Sequence, residues 1–144
     1  MKTRINIEKA EPAGYRAVLG LEKFIESTSL TRKHKDLIKI RASQINGCAF
    51  CIDMHTKEAR KSGETEQRIY ALNAWRETSF FSEEERAILA LTEEVTLISD
   101  HVTDETYDHA AKLLEENYLA QVILAIITIN VWNRIGIATK LIPA

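Results

Sequence analysis

The amino-acid sequence predicts an all-α fold: a single domain over residues 1–144, built as a bundle of about six or seven helices. Three observations lead there. No stretch alternates apolar and polar residues with period two between turn signals, so strands are not expected. Apolar residues instead recur at helical spacing along nearly the whole chain. Cap and stop residues, among them Thr31, Gly47, Gly63 and Ser82, divide that pattern into short helices.

The first helix is expected after Pro12, carrying Tyr15, Val18, Leu19, Leu21, Phe24 and Ile25 toward a core and ending near residues 27–29. Thr31 can cap a second helix running to about Ile45, with Leu37, Ile38, Ile40, Ala42 and Ile45 spread around most of its circumference. Asn46 and Gly47 break it. A third helix begins around Cys48 and closes at Ser62 and Gly63, where glycine suits a left-handed terminal residue. The fourth runs from Glu64 to Trp75, with Ile69, Leu72 and Trp75 on one face. Ser82 and Glu85 form a capping box that opens a fifth through Ile88, Leu89, Leu91, Val95 and Ile98. Asp104 opens a sixth reaching about Asn117. The last, Leu119 to about Ile135, is apolar nearly all round, which implies burial between helices or against another subunit. A homo-oligomer is therefore expected.

Composition excludes several classes. The chain is 45% apolar and 28% charged, ordinary for a globular protein. Its formal charge is −2, and no basic stripe could track phosphates, so nucleic acid is not an expected partner. The first eight residues hold no apolar stretch of the ~7–15 residues a leader peptide needs, so a cytoplasmic location is expected. The apolar run Leu119 to Val131 is shorter than the ~20 residues of a membrane span and is interrupted by Gln121 and Asn130, so it reads as a buried helix with no membrane partner.

Both cysteines of the chain lie in one C-x-x-C, Cys48-Ala49-Phe50-Cys51. In a reducing compartment such a pair is more often catalytic or metal-binding than a staple. The positive end of a helix lowers a thiol's pKa from ~8.5 toward neutrality, so a helix N-terminus favours the reactive thiolate. Residues three, four and seven apart share a helix face, which aligns Cys48, Cys51 and His55 in one stripe. His55 titrates near neutral pH and can take the thiol proton and return it to a leaving group. Asp36 is the candidate to orient it. The second and third helices form an antiparallel hairpin about Asn46 and Gly47, and at ~1.5 Å per residue Asp36 and His55 agree in depth within ~3 Å.

Other readings of the same residues remain. The pair could be half a zinc site with His55 as third ligand, although structural zinc usually takes four protein ligands with a second pair at knuckle spacing. Asp36, set among His34, Lys35 and Lys39, could be a solvated surface charge. His34, His101 and His109 read as surface residues. Trp75, Trp132, Phe80 and Phe81 read as core or subunit-contact residues, and Asn133 and Arg134 as ties at a helix end.

The string from Arg41 to His55, Arg-Ala-Ser-Gln-Ile-Asn-Gly-Cys-Ala-Phe-Cys-Ile-Asp-Met-His, resembles the signature of the alkylhydroperoxidase D-like branch of the carboxymuconolactone decarboxylase superfamily. The likeness extends from Pro12-Ala13-Gly14-Tyr15 to the segment Ile129 to Arg134. It implies an all-α fold assembled into trimers or hexamers. It also implies a dithiol/disulfide cycle that reduces a peroxide, with Cys51 attacking, Cys48 resolving, and a carboxylate twelve residues before the first cysteine sharing a proton relay with the histidine. The sequence departs from that pattern in holding Asp36, one methylene short of glutamate, at the relay position and Phe50 between the cysteines. The decarboxylase branch lacks the cysteine pair, so decarboxylation is the weaker reading.

The function expected is a thiol-dependent peroxidase acting on a hydroperoxide through Cys48, Cys51, His55 and Asp36. It would be recycled by a dithiol reductant and use no metal and no organic cofactor. The rival is a redox sensor or disulfide-exchange protein whose disulfide state alters assembly.

Overall fold

A computed structural model of the chain describes residue 2 and residues 4–144. Met1 and Thr3, part of the stretch read for a leader, lie outside the described residues. Helices joined by short loops make up the described residues, with no strand among them. The order is α1 (Ile7–Ala10), α2 (Pro12–Ser27), α3 (Arg32–Asn46), α4 (Ala49–Lys61), α5 (Glu66–Tyr70), α6 (Glu83–Thr96), α7 (Asp104–Leu113) and α8 (Glu116–Thr139). Two short 3-10 turns, Leu72–Glu77 and Ile98–Asp100, flank α6.

Local chemistry sets the boundaries nearest the site. Proline stands at the start of α2, where its missing N–H costs nothing. The Thr31 hydroxyl accepts from the His34 amide at 3.2 Å and caps α3. Gly47, at φ +69°, closes α3 in the left-handed region. Cys48 is then the N-cap of α4, its Sγ accepting from the Cys51 amide at 3.3 Å.

α3 and α8 are the central pair. α3 packs on α4, α6 and α8, and α8 also meets α2, α4, α6 and α7. One apolar cluster joins Ile38, Ile88, Leu91, Val122, Ile126 and Ile129, and a second gathers Leu37, Ile40, Ile69, Leu72, Trp75 and Leu89. At ~25 cal/mol per Å² of apolar surface removed from water, these two clusters dominate the favourable side of folding. α8 is by length and composition long and apolar enough to cross a membrane, longer than the run from Leu119 to Val131 suggested. It buries part of that apolar surface on its neighbours, leaves Leu124, Ile127 and Ile137 exposed, and carries the fully buried Asn133, whose amide donates to Ser43 Oγ at 3.0 Å and accepts from Asn46 at 2.9 Å.

The structure differs from sequence expectation in five places. The fourth helix does not run from Glu64 to Trp75. Thr65 caps a shorter α5, and the chain breaks at Ala74, at φ −120°. Arg86 takes the carbonyls of Trp75 and Thr78 at 3.1 and 3.0 Å, so they are satisfied without a continuing α-helix. α6 ends at Thr96, leaving Ile98 exposed. α7 ends at Leu113 and α8 runs on to Thr139, past Ile135. Of the first helix's apolar residues only Ile25 is buried, while Leu21 and Phe24 face solvent. His34, expected at the surface, is buried with Nδ1 2.6 Å from the Tyr118 hydroxyl.

The chain's two ends meet beside α4. Arg4 donates its amide to the Thr139 carbonyl and its guanidinium to the Ala138 carbonyl, both at 3.0 Å. Leu141 turns back to donate to the Gly136 carbonyl at 2.9 Å. These two segments wall one side of a cleft.

Candidate active site

Cys48 and Cys51 are joined as a disulfide, with Cα atoms 5.3 Å apart across the first turn of α4. Both are buried, but unequally placed. Cys51 lines a cleft of about 710 Å³, whereas Cys48 lies behind it against Gly136 of α8. His55, one turn beyond Cys51, lines the same cleft. The helical stripe read from the sequence is therefore present, with Cys51 as the cysteine that lines the cleft.

The cleft has a charged wall and an apolar one. Lys39 of α3 is buried, its Nζ 3.0 Å from Glu22 and 3.3 Å from Glu26, both of α2. Trp132 of α8 donates its indole N–H to the other oxygen of Glu22 at 3.1 Å. These contacts offset the cost of taking the Lys39 side chain out of water. Phe50, Met54, Ile135 and Leu141 supply the apolar wall.

His55 Nδ1 lies 3.2 Å from Oε2 of Glu58. A carboxylate only accepts, so Nδ1 carries the proton and Nε2 keeps its lone pair in the neutral ring. Nε2 is buried and has no hydrogen-bond partner among the described residues. Burial holds the imidazole below its ordinary value, and the Lys39 ammonium adds to that effect against the opposing pull of Glu58 and Glu22. The ring is thus kept in the form that can accept a proton.

Asp36 stands elsewhere. It is buried, and both its oxygens face Arg32 Nε, at 3.1 and 3.3 Å. Burial raises its pKa, with Arg32 working against the rise. It makes no hydrogen bond to His55, and it is no solvated surface charge either. Arg32 links it toward the imidazole, with Nη2 3.9 Å from Glu58. Sequence reasoning missed Glu58, although an acid three residues after a histidine on one helix is a legible signal. Lys39, Glu22 and Trp132 come from three different helices and leave no such local mark. No group of three or more His, Cys, Asp or Glu among the described residues could hold a metal ion.

Comparison with known proteins places the chain in a family. The model of the carboxymuconolactone decarboxylase family matches residues 12–94. The uncharacterized protein YdfG of Bacillus subtilis is 49% identical over 139 residues, covering 96% of this chain and 95% of that protein. The crystal structure of ATU0492 from Agrobacterium tumefaciens, a protein of unknown function suggested to be the antioxidant defence protein AhpD, superposes with a TM-score of 0.96. It is 40% identical and covers 99% of both chains. The debrominase Bmp8 superposes with a TM-score of 0.81 at 21% identity over 94% of this chain and 74% of its own, a likeness of fold alone. The chain belongs to the carboxymuconolactone decarboxylase family and is an alkylhydroperoxidase D-like protein.

Proposed function

We propose that the protein is a thiol peroxidase that reduces hydroperoxides through a dithiol/disulfide cycle of Cys51 and Cys48. One observation carries the reading: Cys51 and His55 line the same cleft, while Cys48 sits behind Cys51 within disulfide reach. In the dithiol form, His55 Nε2 takes the Cys51 proton and leaves a thiolate beside the imidazolium. The thiolate attacks the terminal oxygen of R–O–O–H, the O–O bond breaks, and Cys51 becomes a sulfenic acid. The departing alkoxide takes the imidazolium proton and leaves as R–OH. Cys48 then attacks the Cys51 sulfur, which forms the disulfide and releases water. An external dithiol gives up two electrons and two protons to restore both thiols.

The same reading places the protein in the cytoplasm, where such reductants are kept reduced. It also makes the protein a homo-oligomer, a reading supported by the exposed Leu21, Phe24, Leu124 and Ile127 on the outer faces of α2 and α8. The test treats reduced protein with one equivalent of cumene hydroperoxide. Wild type should lose two thiols as an intramolecular disulfide, Cys48→Ser should hold a dimedone-reactive sulfenic acid at Cys51, and Cys51→Ser should leave the peroxide unconsumed. Peroxide consumption that survives Cys51→Ser would overturn the assignment. A disulfide that forms slowly and without turnover by any dithiol would favour the redox-sensor reading instead.

A further inference from the structure

The groups around His55 form a line of alternating charge. Asp36 holds Arg32 through Nε, Arg32 Nη2 lies 3.9 Å from Glu58, and Glu58 takes the imidazole Nδ1 at 3.2 Å. We propose that Glu58, and not the carboxylate twelve residues before Cys48, is the positioning residue of His55, with Arg32 and Asp36 holding it in place. The proposal rests on the reading of His55 as the base for Cys51.

Three observations separate the two acids. Asp36 directs both oxygens at one guanidinium nitrogen and makes no hydrogen bond to the imidazole. Glu58 has its short contact with the imidazole and only a longer one with Arg32. Position 36 carries aspartate, whereas the longer glutamate side chain sits at position 58, one turn from His55 on the same helix, where i and i+3 side chains meet. By accepting from Nδ1, Glu58 fixes the tautomer that leaves Nε2 free for the thiol proton, and its negative charge stabilises the imidazolium formed when that proton arrives.

Other titratable groups line the same cleft and must be held constant. Among the described residues, α3 contributes Lys39 and Arg32, α2 contributes Tyr15, Glu22 and Glu26, and the N-terminal segment contributes Arg4 and Glu8 to the shared cleft. α8 lines it with no titratable side chain. Cys51 of α4 lines the same cleft as His55, so an alkylation profile of the reduced protein belongs to the thiol and imidazole together.

The experiment follows iodoacetamide alkylation of Cys51 against pH in the reduced protein, read by peptide mass spectrometry, for wild type, Glu58→Gln, Glu58→Asp, Asp36→Asn and His55→Ala. Glu58 is partly exposed, so its variants should fold, and circular dichroism verifies that they do. Glu58→Gln keeps an acceptor for Nδ1 but removes the charge. It should move the profile to higher pH, with about three- to tenfold slower alkylation on its acid side. Glu58→Asp should recover most of that loss, and Asp36→Asn should move the profile less than Glu58→Gln. A Glu58→Gln profile that superimposes on wild type while His55→Ala is slowed overturns the role of Glu58 and leaves His55 as base. A larger shift in Asp36→Asn than in Glu58→Gln overturns it in favour of Asp36. An unchanged His55→Ala profile removes the base itself, and the proposal with it.

Discussion

A Cβ placed on Gly136 of α8 would lie 3.1 Å from Sγ of Cys48 and 3.7 Å from Sγ of Cys51. The first distance is tighter than a carbon and a sulfur normally tolerate. The absence of a side chain at Gly136 therefore makes room for the sulfur pair between α4 and α8.

Gly136→Ala should consequently act on redox state more than on folding. Alanine in a helix interior gains ~0.5–1 kcal/mol over glycine, while overpacking costs ~1–3 kcal/mol. A free Cys48 thiol can rotate away from the methyl group, but the disulfide holds its sulfur in place. The oxidised form should lose about 1 kcal/mol relative to the reduced one, about a fivefold shift toward the dithiol. Equilibration in glutathione buffers, with the two forms quantified by mass, measures this. An unchanged equilibrium would show that α8 simply moves aside.

Asn133 is fully buried and ties α8 to the end of α3 through Ser43 and Asn46, the residues that lead into Cys48. Asn133→Ala removes both bonds and leaves a cavity. The expected loss is about 2–4 kcal/mol, read as a lower urea midpoint at constant slope. Ser43 and Asn46 each keep one other partner, the Lys39 carbonyl and Asn130, which keeps the loss from being larger. A change under about 0.5 kcal/mol would mean the network adds nothing beyond its neighbours' packing.

The folded protein holds His55 below its ordinary 6.5 through burial first and Lys39 second. The unfolded chain therefore binds the proton more readily, and protonation favours unfolding. This contribution is fully present above pH 6.5 and is lost as pH falls toward the folded-state value. His34 is held down by burial in the same direction, so wild type must be compared with His55→Gln. In the disulfide form, where no thiolate couples to the ring, wild type should lose more thermal stability between pH 7 and pH 5 than His55→Gln does. Parallel curves for the two proteins would show that His55 is not the titrating group.

The sequence by itself determined what is local to one helix. Cys48, Cys51 and His55 fall on one stripe because a helix repeats every 3.6 residues, and Gly47 ends α3 because glycine accepts the left-handed turn that places Cys48 at the next N-cap. The all-α class and the burial of Ile38, Ile88 and Leu91 were legible for the same reason, since apolar periodicity is written residue by residue. What only the tertiary structure decided is how helices meet. Depth matching placed Asp36 level with His55, but depth says nothing about rotation around the α3 axis, and Asp36 does not meet the imidazole; the pairs formed instead, Arg32 with Asp36 and His55 with Glu58, are each local to one helix. The burial of Lys39, by contrast, depends on Glu22 of α2 and Trp132 of α8 arriving together, 17 and 93 positions away along the chain. Charge pairing between helices is set by angle and approach within a few ångströms, because Coulomb attraction and hydrogen bonding fall away over that distance. Spacing along a single chain does not encode an approach that close.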